Sequence, residues 1–319
     1  MTTSEVLNFT FIPIVDEGIE RIEFHEYEPA ARAYLNSVGE IRINVEQQDL
    51  FTFPFEAFLF FEGRILKIDG TAYANADAVS LTNNGIMQLF SYISYQLSNQ
   101  EVDAVYRPGQ ATTRLRMLKY PNDFQLAQGL NQLRYKDSAT TAVLADNAGF
   151  AVRQAYIIQK PTTKGTFSFC TPLKHIFGFC DNNDKVIYRF KHTLTRVRKA
   201  DDDAIFRLAA AGIGKVDLNK ISLFIPHVIP SDAERNNLYT SIKSKVTLPV
   251  SYCARQCDTI SVPQSTTFYW RLRVKTSPEK QRYIIVGFQT SKDGDQLLDP
   301  SIFDHCDLKN MYIMLNQKR

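Results

Sequence analysis

Cysteine, histidine and clustered carboxylates are the side chains from which a reactive centre would have to be built. Cys253 and Cys257 stand four positions apart, and Asp304-His305-Cys306 follows downstream. Thiolates and imidazole suit tetrahedral zinc, so Cys253, Cys257, His305 and Cys306 form one candidate set. The spacing speaks against it. Cys253 falls in an alternating apolar run that reads as a strand, and neighbouring His305 and Cys306 would point to opposite faces of a sheet. Packing thiols are the simpler reading. Five histidines, His25, His175, His192, His227 and His305, invite a search for a nucleophile and its base. No Gly-x-Ser-x-Gly elbow occurs, and no cysteine has a protease-like context. His192 lies in an alternating strand and His227 follows Pro226, which gives both a structural role. Ala211-Gly-Ile-Gly-Lys215 carries the glycines and lysine of a phosphate loop. It lacks the four-residue gap, however, and Val216 stands where Ser or Thr is needed. A turn before the strand Val216–Ile225 explains it. Asp201-Asp-Asp203, after Arg196, Arg198 and Lys199, reads as a solvated turn rather than a cation-binding loop. No catalytic, cofactor-binding or metal-ligating residue is assigned, and the expectation is a protein that is not an enzyme.

Charge does little to define a partner. The 37 Lys and Arg residues against 34 Asp and Glu leave a net charge of +3, too weak a field to mark a polyanion binder. Two basic clusters, Arg114-Leu-Arg116 with Lys119 and Arg196-Val-Arg-Lys199, could make weak nonspecific contact with DNA. Neither has the stacking aromatics of a reading platform, so both read first as solvated faces of charged strands. The five cysteines are an odd number and the polar N-terminus, Met1 to Glu5, has no secretory pattern. Free thiols in a reducing intracellular setting, cytoplasm or nucleus, are expected. Phe51–Phe61 is interrupted by Pro54 and Glu56 and falls short of the ~18 apolar residues of a membrane span.

The elements that would position these residues are strands. With 22 Phe and 15 Tyr against one Trp, the composition favours pleated, half-buried surfaces. Glu40-Ile-Arg-Ile-Asn-Val-Glu46 alternates with period two and predicts a strand buried on one face. Similar runs occur at Val246/Leu248/Val250/Tyr252, Trp270/Leu272/Val274 and Met311/Ile313/Leu315. Tyr283–Phe288 and Ile221–Ile225 read as strands buried on both faces. Short strands split by Pro, Gly, Asn and Asp predict a sandwich or barrel. Two helices are expected: one from Asn122 or Asp123 with Phe124, Ala127, Leu130 and Leu133 at helical spacing, weakened by Gly129. The other opens with the capping box Ser231-Asp-Ala-Glu234 and continues through Leu238 and Ile242. Pro226 and Pro230 before it mark a domain seam, after which the strand pattern of residues 20–100 restarts beyond 244.

A set of ordered blocks resembles one family. Phe24-His-Glu-Tyr-Glu-Pro29, Gly39-Glu-Ile-Arg-Ile-Asn44, and Asp49 before Thr52-Phe-Pro54 are similar to the opening of the double jelly-roll capsid proteins of polinton-like viruses and their copies in animal genomes. Asn83-Asn84 with Phe90-Ser-Tyr-Ile93, Gly165–Phe169, Pro172–Gly178 and Lys191–Leu194 follow in the same order. Lys220-Ile221, Ile225-Pro-His227, Trp270 with Val274–Thr276, Glu279–Tyr283, Gly287–Thr290 and Phe303–Cys306 complete the series. The departures are Asp181–Asp184 in place of an acidic-tyrosine pair and Gln281 in place of a proline. Relatives also continue beyond the element matched by Leu315-Asn316, where this sequence ends at Arg319.

The resemblance implies an all-β double jelly roll, with a first sandwich over 1–235 and a second, incomplete one over 236–319. It implies a structural role without cofactors: a major capsid protein that forms homotrimers, the pseudo-hexagonal tiles of an icosahedral shell. Partners would be its own copies, neighbouring capsomers or a minor capsid protein, and its location the virion. Incomplete sheets expose edges that solitary chains avoid. A domesticated or decayed endogenous copy acting as a binding module is therefore the second expectation. A sugar-binding sandwich is the third, with Trp270 as its single platform residue.

Overall fold

The computed structural model describes residues 18–30, 35–46, 49–245, 249–272 and 281–314. In chain order the strands are β1 (Ile19–Tyr27), β2 (Gly39–Val45), β3 (Phe51–Thr52), β4 (Phe58–Lys67), β5 (Val79–Leu81) and β6 (Phe90–Leu97). They continue with β7 (Gln100–Tyr106), β8 (Thr166–Pro172), β9 (Ile187–Tyr188), β10 (His192–Arg198), β11 (Ile205–Arg207) and β12 (Gly214–Pro230). The helices are α1 (Gly85–Gln88), α2 (Pro108–Lys119), α3 (Ala148–Ile158), α4 (Gly178–Asn182) and α5 (Asp232–Lys243).

Alternation of side chains builds two facing sheets. One has the order β8-β4-β12-β3-β9, with β1 on the other side of β12; the second runs β2-β10-β6-β7. Every pairing in them is antiparallel. In β2 the expected face is the buried one: Ile41, Ile43 and Val45 are inside while Glu40 and Arg42 are exposed. They meet Leu59, Phe61 and Ile65 of β4, Phe167 and Phe169 of β8, and Ile93 and Tyr95 of β6 in one continuous core. Apolar faces turned toward each other across a slab ~10 Å thick are what hold such a sandwich together. The aromatic run Phe51–Phe61 contributes to this core through Ala57, Leu59 and Phe61, while Phe58 and Phe60 point the other way.

The long strand β12 changes phase halfway. Val216 and Leu218 are buried before a register shift between Leu218 and Lys220, and Ile221, Leu223 and Ile225 are buried after it. A bulge inserts one residue, so the inward parity passes from even to odd positions without losing the core face. Gly63 pairs with Leu218 at this point, where an added Cβ would lie 2.6 Å from the Asp217 carbonyl oxygen and 2.8 Å from the Phe167 ring.

Several expectations need correction. The helix expected over residues 122–133 is two short 3-10 turns, Asn122–Leu126 and Leu130–Gln132. The Phe124 carbonyl accepts from both Ala127 and Gly129 N–H, and a Cβ on Gly129 would sit 2.7 Å from that oxygen. The chain thus turns tightly there instead of continuing as α-helix. The helix α5 does begin at Ser231, whose hydroxyl accepts from Glu234 N–H at 3.5 Å, yet the capping box is half made. The Ser231 N–H donates to Gly18 O at 3.0 Å instead of to the Glu234 carboxylate.

The strands expected at Tyr252, Trp270–Leu272, Tyr283–Phe288 and Met311–Ile313 are absent among the described residues. A single antiparallel bridge, Phe288–Asp304, stands in that region. Val246, Leu248, Val274 and Leu315 lie outside the described residues. Period-two patterning makes a strand only where another strand offers a ladder and a buried face. Here Tyr269 and Tyr283 remain 79% and 84% exposed. Polar contacts fasten this part to the sandwich, among them Arg255 on Asp181 and Gln296 on the backbone of Gly214.

Candidate functional site

The sequence candidates for chemistry are dispersed by the fold. The Cys253 N–H is bonded to Asn182 Oδ1, beside α4. Cys257 lines a surface recess of about 490 Å³ with Ser91, Tyr106, Arg107, Gln256, Asp258 and Thr259. Burial pushes its thiol up, with Arg114 and Arg107 pulling the other way. His305 is exposed, 3.4 Å from Asp307. Among the described residues no three His, Cys, Asp or Glu side chains come together as metal ligands. Gly212, at φ +78°, takes the chain out of a 3-10 turn, so Gly212-Ile213 is a connection and Gly214 and Lys215 open β12.

Three histidines are built into the protein as neutral rings. His192 sits in β10 with Tyr95 Oη 2.6 Å from Nδ1 and Thr52 Oγ1 2.9 Å from Nε2. His175 has Gln132 Nε2 3.0 Å from Nδ1. His227, in β12, stacks on His25 of β1 at 4.0 Å between centroids, with Tyr27 Oη 3.1 Å from Nε2. Burial holds His175 down at about 3 and His192 and His227 at about 4, so each is uncharged at neutral pH.

The basic clusters are not solvated strand faces. Arg114, Arg116 and Lys119 lie on α2, and Arg116 is 2% exposed with Nη1 donating to Asn84 Oδ1 at 2.6 Å. Arg196 is wholly buried between the sheets, its guanidinium 5.6 and 5.7 Å from the rings of Phe61 and Phe90. None of its three nitrogens has a hydrogen-bond partner among the described residues, and burial brings it down to about 9. The signal for this was present: in His192-Thr-Leu-Thr-Arg196, period two places Arg196 on the same inward face as Leu194. Arg198 is tied to Asp201 at 2.6 Å and to Val216 O at 3.2 Å. The acidic run 201–203 is a clasp rather than a solvated turn. Asp201 accepts from Val216 N–H, Asp202 from Gln296 and Asp203 from Gly294 N–H, joining β10, β12 and the C-terminal third.

What the sandwich leaves open is apolar. On the outer face of the first sheet Phe58 stacks on Phe224 at 5.0 Å, Phe60 meets Phe224 edge-on at 6.2 Å, and Phe24 leans on Phe58 at 5.8 Å. Ile22 and Phe24 are 48% and 54% exposed on β1, which pairs only with β12 among the described strands. Exposed apolar groups recur at Tyr269, Tyr283, Met311 and Ile313. Exposed and half-buried rings in contact with one another, as at Phe24, Phe58 and Phe224, are of the kind found at interaction surfaces.

A six-stranded and a four-stranded antiparallel sheet packed face to face, with the chain crossing between them, define the jelly-roll class of β-sandwich. The chain belongs to the double jelly roll-like domain family, which it matches over residues 79–319. Among solved structures it is similar to a chain of the Sputnik virophage at 10% identity and a TM-score of 0.50, over 73% of this chain and 52% of that one. Similarity to the mavirus major capsid protein is at 13% identity and a TM-score of 0.43, over 73% and 51% of the two chains. For the Faustovirus major capsid protein the values are 10%, 0.42, 76% and 60%. The chain thus spans between 51% and 60% of the length of these three structures. No curated protein matches it. At such identities the likeness speaks for the fold alone.

Proposed function

We propose that the chain is a structural protein of the capsid type, whose copies associate as trimers that tile a shell. Membership of the double jelly roll-like domain family over residues 79–319 carries this reading. The virophage and major capsid protein folds it resembles support it in the same direction. In this reading the first jelly roll occupies residues 1–235 and residues 236–319 belong to the second. The role needs lateral surfaces that neighbours can cover, and the exposed rings of Phe24, Tyr269 and Tyr283 suit it. Partners are other copies of the chain and further shell proteins, the location is the virion, and the source is a polinton-like element or its endogenous copy. Weak contact with DNA would fall to Arg114, Lys119 and Lys199, because Arg116, Arg196 and Arg198 are buried.

The test is the mass of the purified protein by light scattering across a concentration series, followed by electron microscopy of any assembly. Trimers or larger closed particles are expected, and Phe24→Ser should weaken them while leaving the circular dichroism unchanged. A monomer at every concentration would remove the assembly claim.

A further inference from the structure

One group of charges has no part in holding the two sheets together. Arg116, 2% exposed in α2, spends Nη1 on Asn84 and leaves Nε and Nη2 without an acceptor among the described residues. Arg134 lies over the rings of Tyr120 and Phe124, 5.9 and 5.3 Å from their centroids, and its Nη1 has no acceptor among the described residues. Arg255 reaches in from the C-terminal third. Its Nη2 donates to Asp181 at 3.0 Å and to Lys174 O at 3.2 Å, and its Nη1 is likewise unmatched. His175 is buried beside them, edge-on to Tyr120 at 5.2 Å and to Phe124 at 5.8 Å. Lys119 adds a further cation, 2.5 Å from Asp181.

The charge balance is one-sided. Among the described residues Asp181 is the carboxylate ion-paired with this group, and Lys119 and Arg255 already share it, leaving Arg116 and Arg134 without one. The other carboxylate in range, Asp103, gives Oδ2 to the Phe179 N–H, and burial pushes it up toward its neutral form. The cations act on one another: after burial, Arg134 and Arg255 weaken the hold of Arg116 on its proton, and Arg116 does the same to His175. Mutual repulsion and unmatched buried donors both oppose folding. Water would supply acceptors but no charge. An oxyanion supplies both, and guanidinium forks match its geometry.

We propose that Arg116, Arg134 and Arg255, with Lys119 at the rim, form a binding site for a small phosphate-type oxyanion. Arg116 forms its base and the half-buried Arg134 its side. Because Arg116 is almost fully covered, the ligand is a free anion or a terminal phosphate rather than the backbone of a nucleic-acid strand.

The test uses the whole chain and inorganic phosphate. Thermal unfolding is compared in phosphate and in chloride at equal ionic strength and pH, and binding is measured by calorimetric titration with phosphate. Phosphate should raise the midpoint by roughly 2–4 °C near saturation. Arg134→Gln and Arg255→Gln should each abolish the rise and weaken phosphate binding at least tenfold, while Lys185→Gln, a solvated cation elsewhere, should keep both. Arg134→Gln keeps the test valid should Arg255→Gln, which loses the Asp181 pair, fold poorly. No phosphate-specific rise, or a rise that survives Arg134→Gln, would overturn the site. Displacement of phosphate by an oligonucleotide lacking terminal phosphates would also overturn it, in favour of a surface that binds strands.

Discussion

Two buried arginines show how differently one residue type can sit in this protein. Arg153 of α3 is fully matched: Nη2 bridges both oxygens of Asp137 at 2.7 and 2.9 Å, Nε donates to Leu81 O at 3.0 Å, and Nη1 donates to Tyr135 O. Arg196 has the two aromatic rings and no acceptor among the described residues. Removing one partner of a buried pair leaves the other charge stranded, whereas removing an unmatched charge relieves a desolvation penalty. Arg153→Met should therefore lower stability by about 3–5 kcal/mol. Arg196→Met should leave it unchanged or raise it, by up to about 1–4 kcal/mol less the lost cation–π attraction of about 2 kcal/mol. Urea unfolding of the two variants checks this, and equal losses in both would sink the distinction. The placement of Arg196 was legible from its period-two alignment with Leu194. Its charge argued for the surface and the alternation for the interior, and alternation prevailed because the strand is covered on that face.

At the scale of elements, strands were legible where both the pattern and a partner strand exist. Glu40–Glu46 and Ile221–Ile225 became β2 and part of β12, since the neighbouring strands β10 and β4 offer each a ladder and the facing sheet a dry surface. The alternation ending at Tyr252 and the apolar run Tyr283–Phe288 yield no strand, because a pattern is local while a ladder is not. The helix α2 was missed for the opposite reason. Pro108-Gly-Gln-Ala-Thr-Thr buries Gln110, Thr112 and Thr113, polar residues that carry no apolar stripe to read. They pack because Asn84 Nδ2 donates to the hydroxyls of Thr112 and Thr113. The bulge in β12 was also invisible, although it explains a glycine within β4. Gly63→Ala would press a methyl against the Asp217 carbonyl and the Phe167 ring, overpacking the core at a cost of about 1–3 kcal/mol. Gly39→Ala meets nothing within 4 Å and serves as the matched control, expected to be neutral or slightly stabilising. Equal unfolding midpoints for the two variants would mean that the bulge relaxes around the new methyl.

At the scale of the molecule, the neutral histidines tie the sandwich to pH. His192 bridges the sheets, since its own strand β10 belongs to one and Thr52 of β3 to the other. Its ring titrates at about 4 when folded, because burial and then nearby His227 disfavour the cation, against about 6.5 in an unfolded chain. Between these values the unfolded chain binds the extra proton, so the contribution of His192 is whole above pH 6.5 and is lost as pH falls toward 4. The shift corresponds to roughly 3 kcal/mol, and His175 acts with the same sign. Asp299 opposes them. Burial, then the charge of Asp137, raises its carboxyl to about 7, so the folded protein takes up a proton there as pH falls and gains stability. The net slope is a sum of opposite terms, and the informative quantity is a difference between variants. His192→Gln retains a side chain able to bond Tyr95 and Thr52 but cannot be charged. The variant should be less stable than the wild type at pH 7.5, from imperfect bonding, and the gap should close or invert by pH 4.5. Urea midpoints at those two pH values measure it, and a gap independent of pH would show that His192 does not stay neutral in the folded protein.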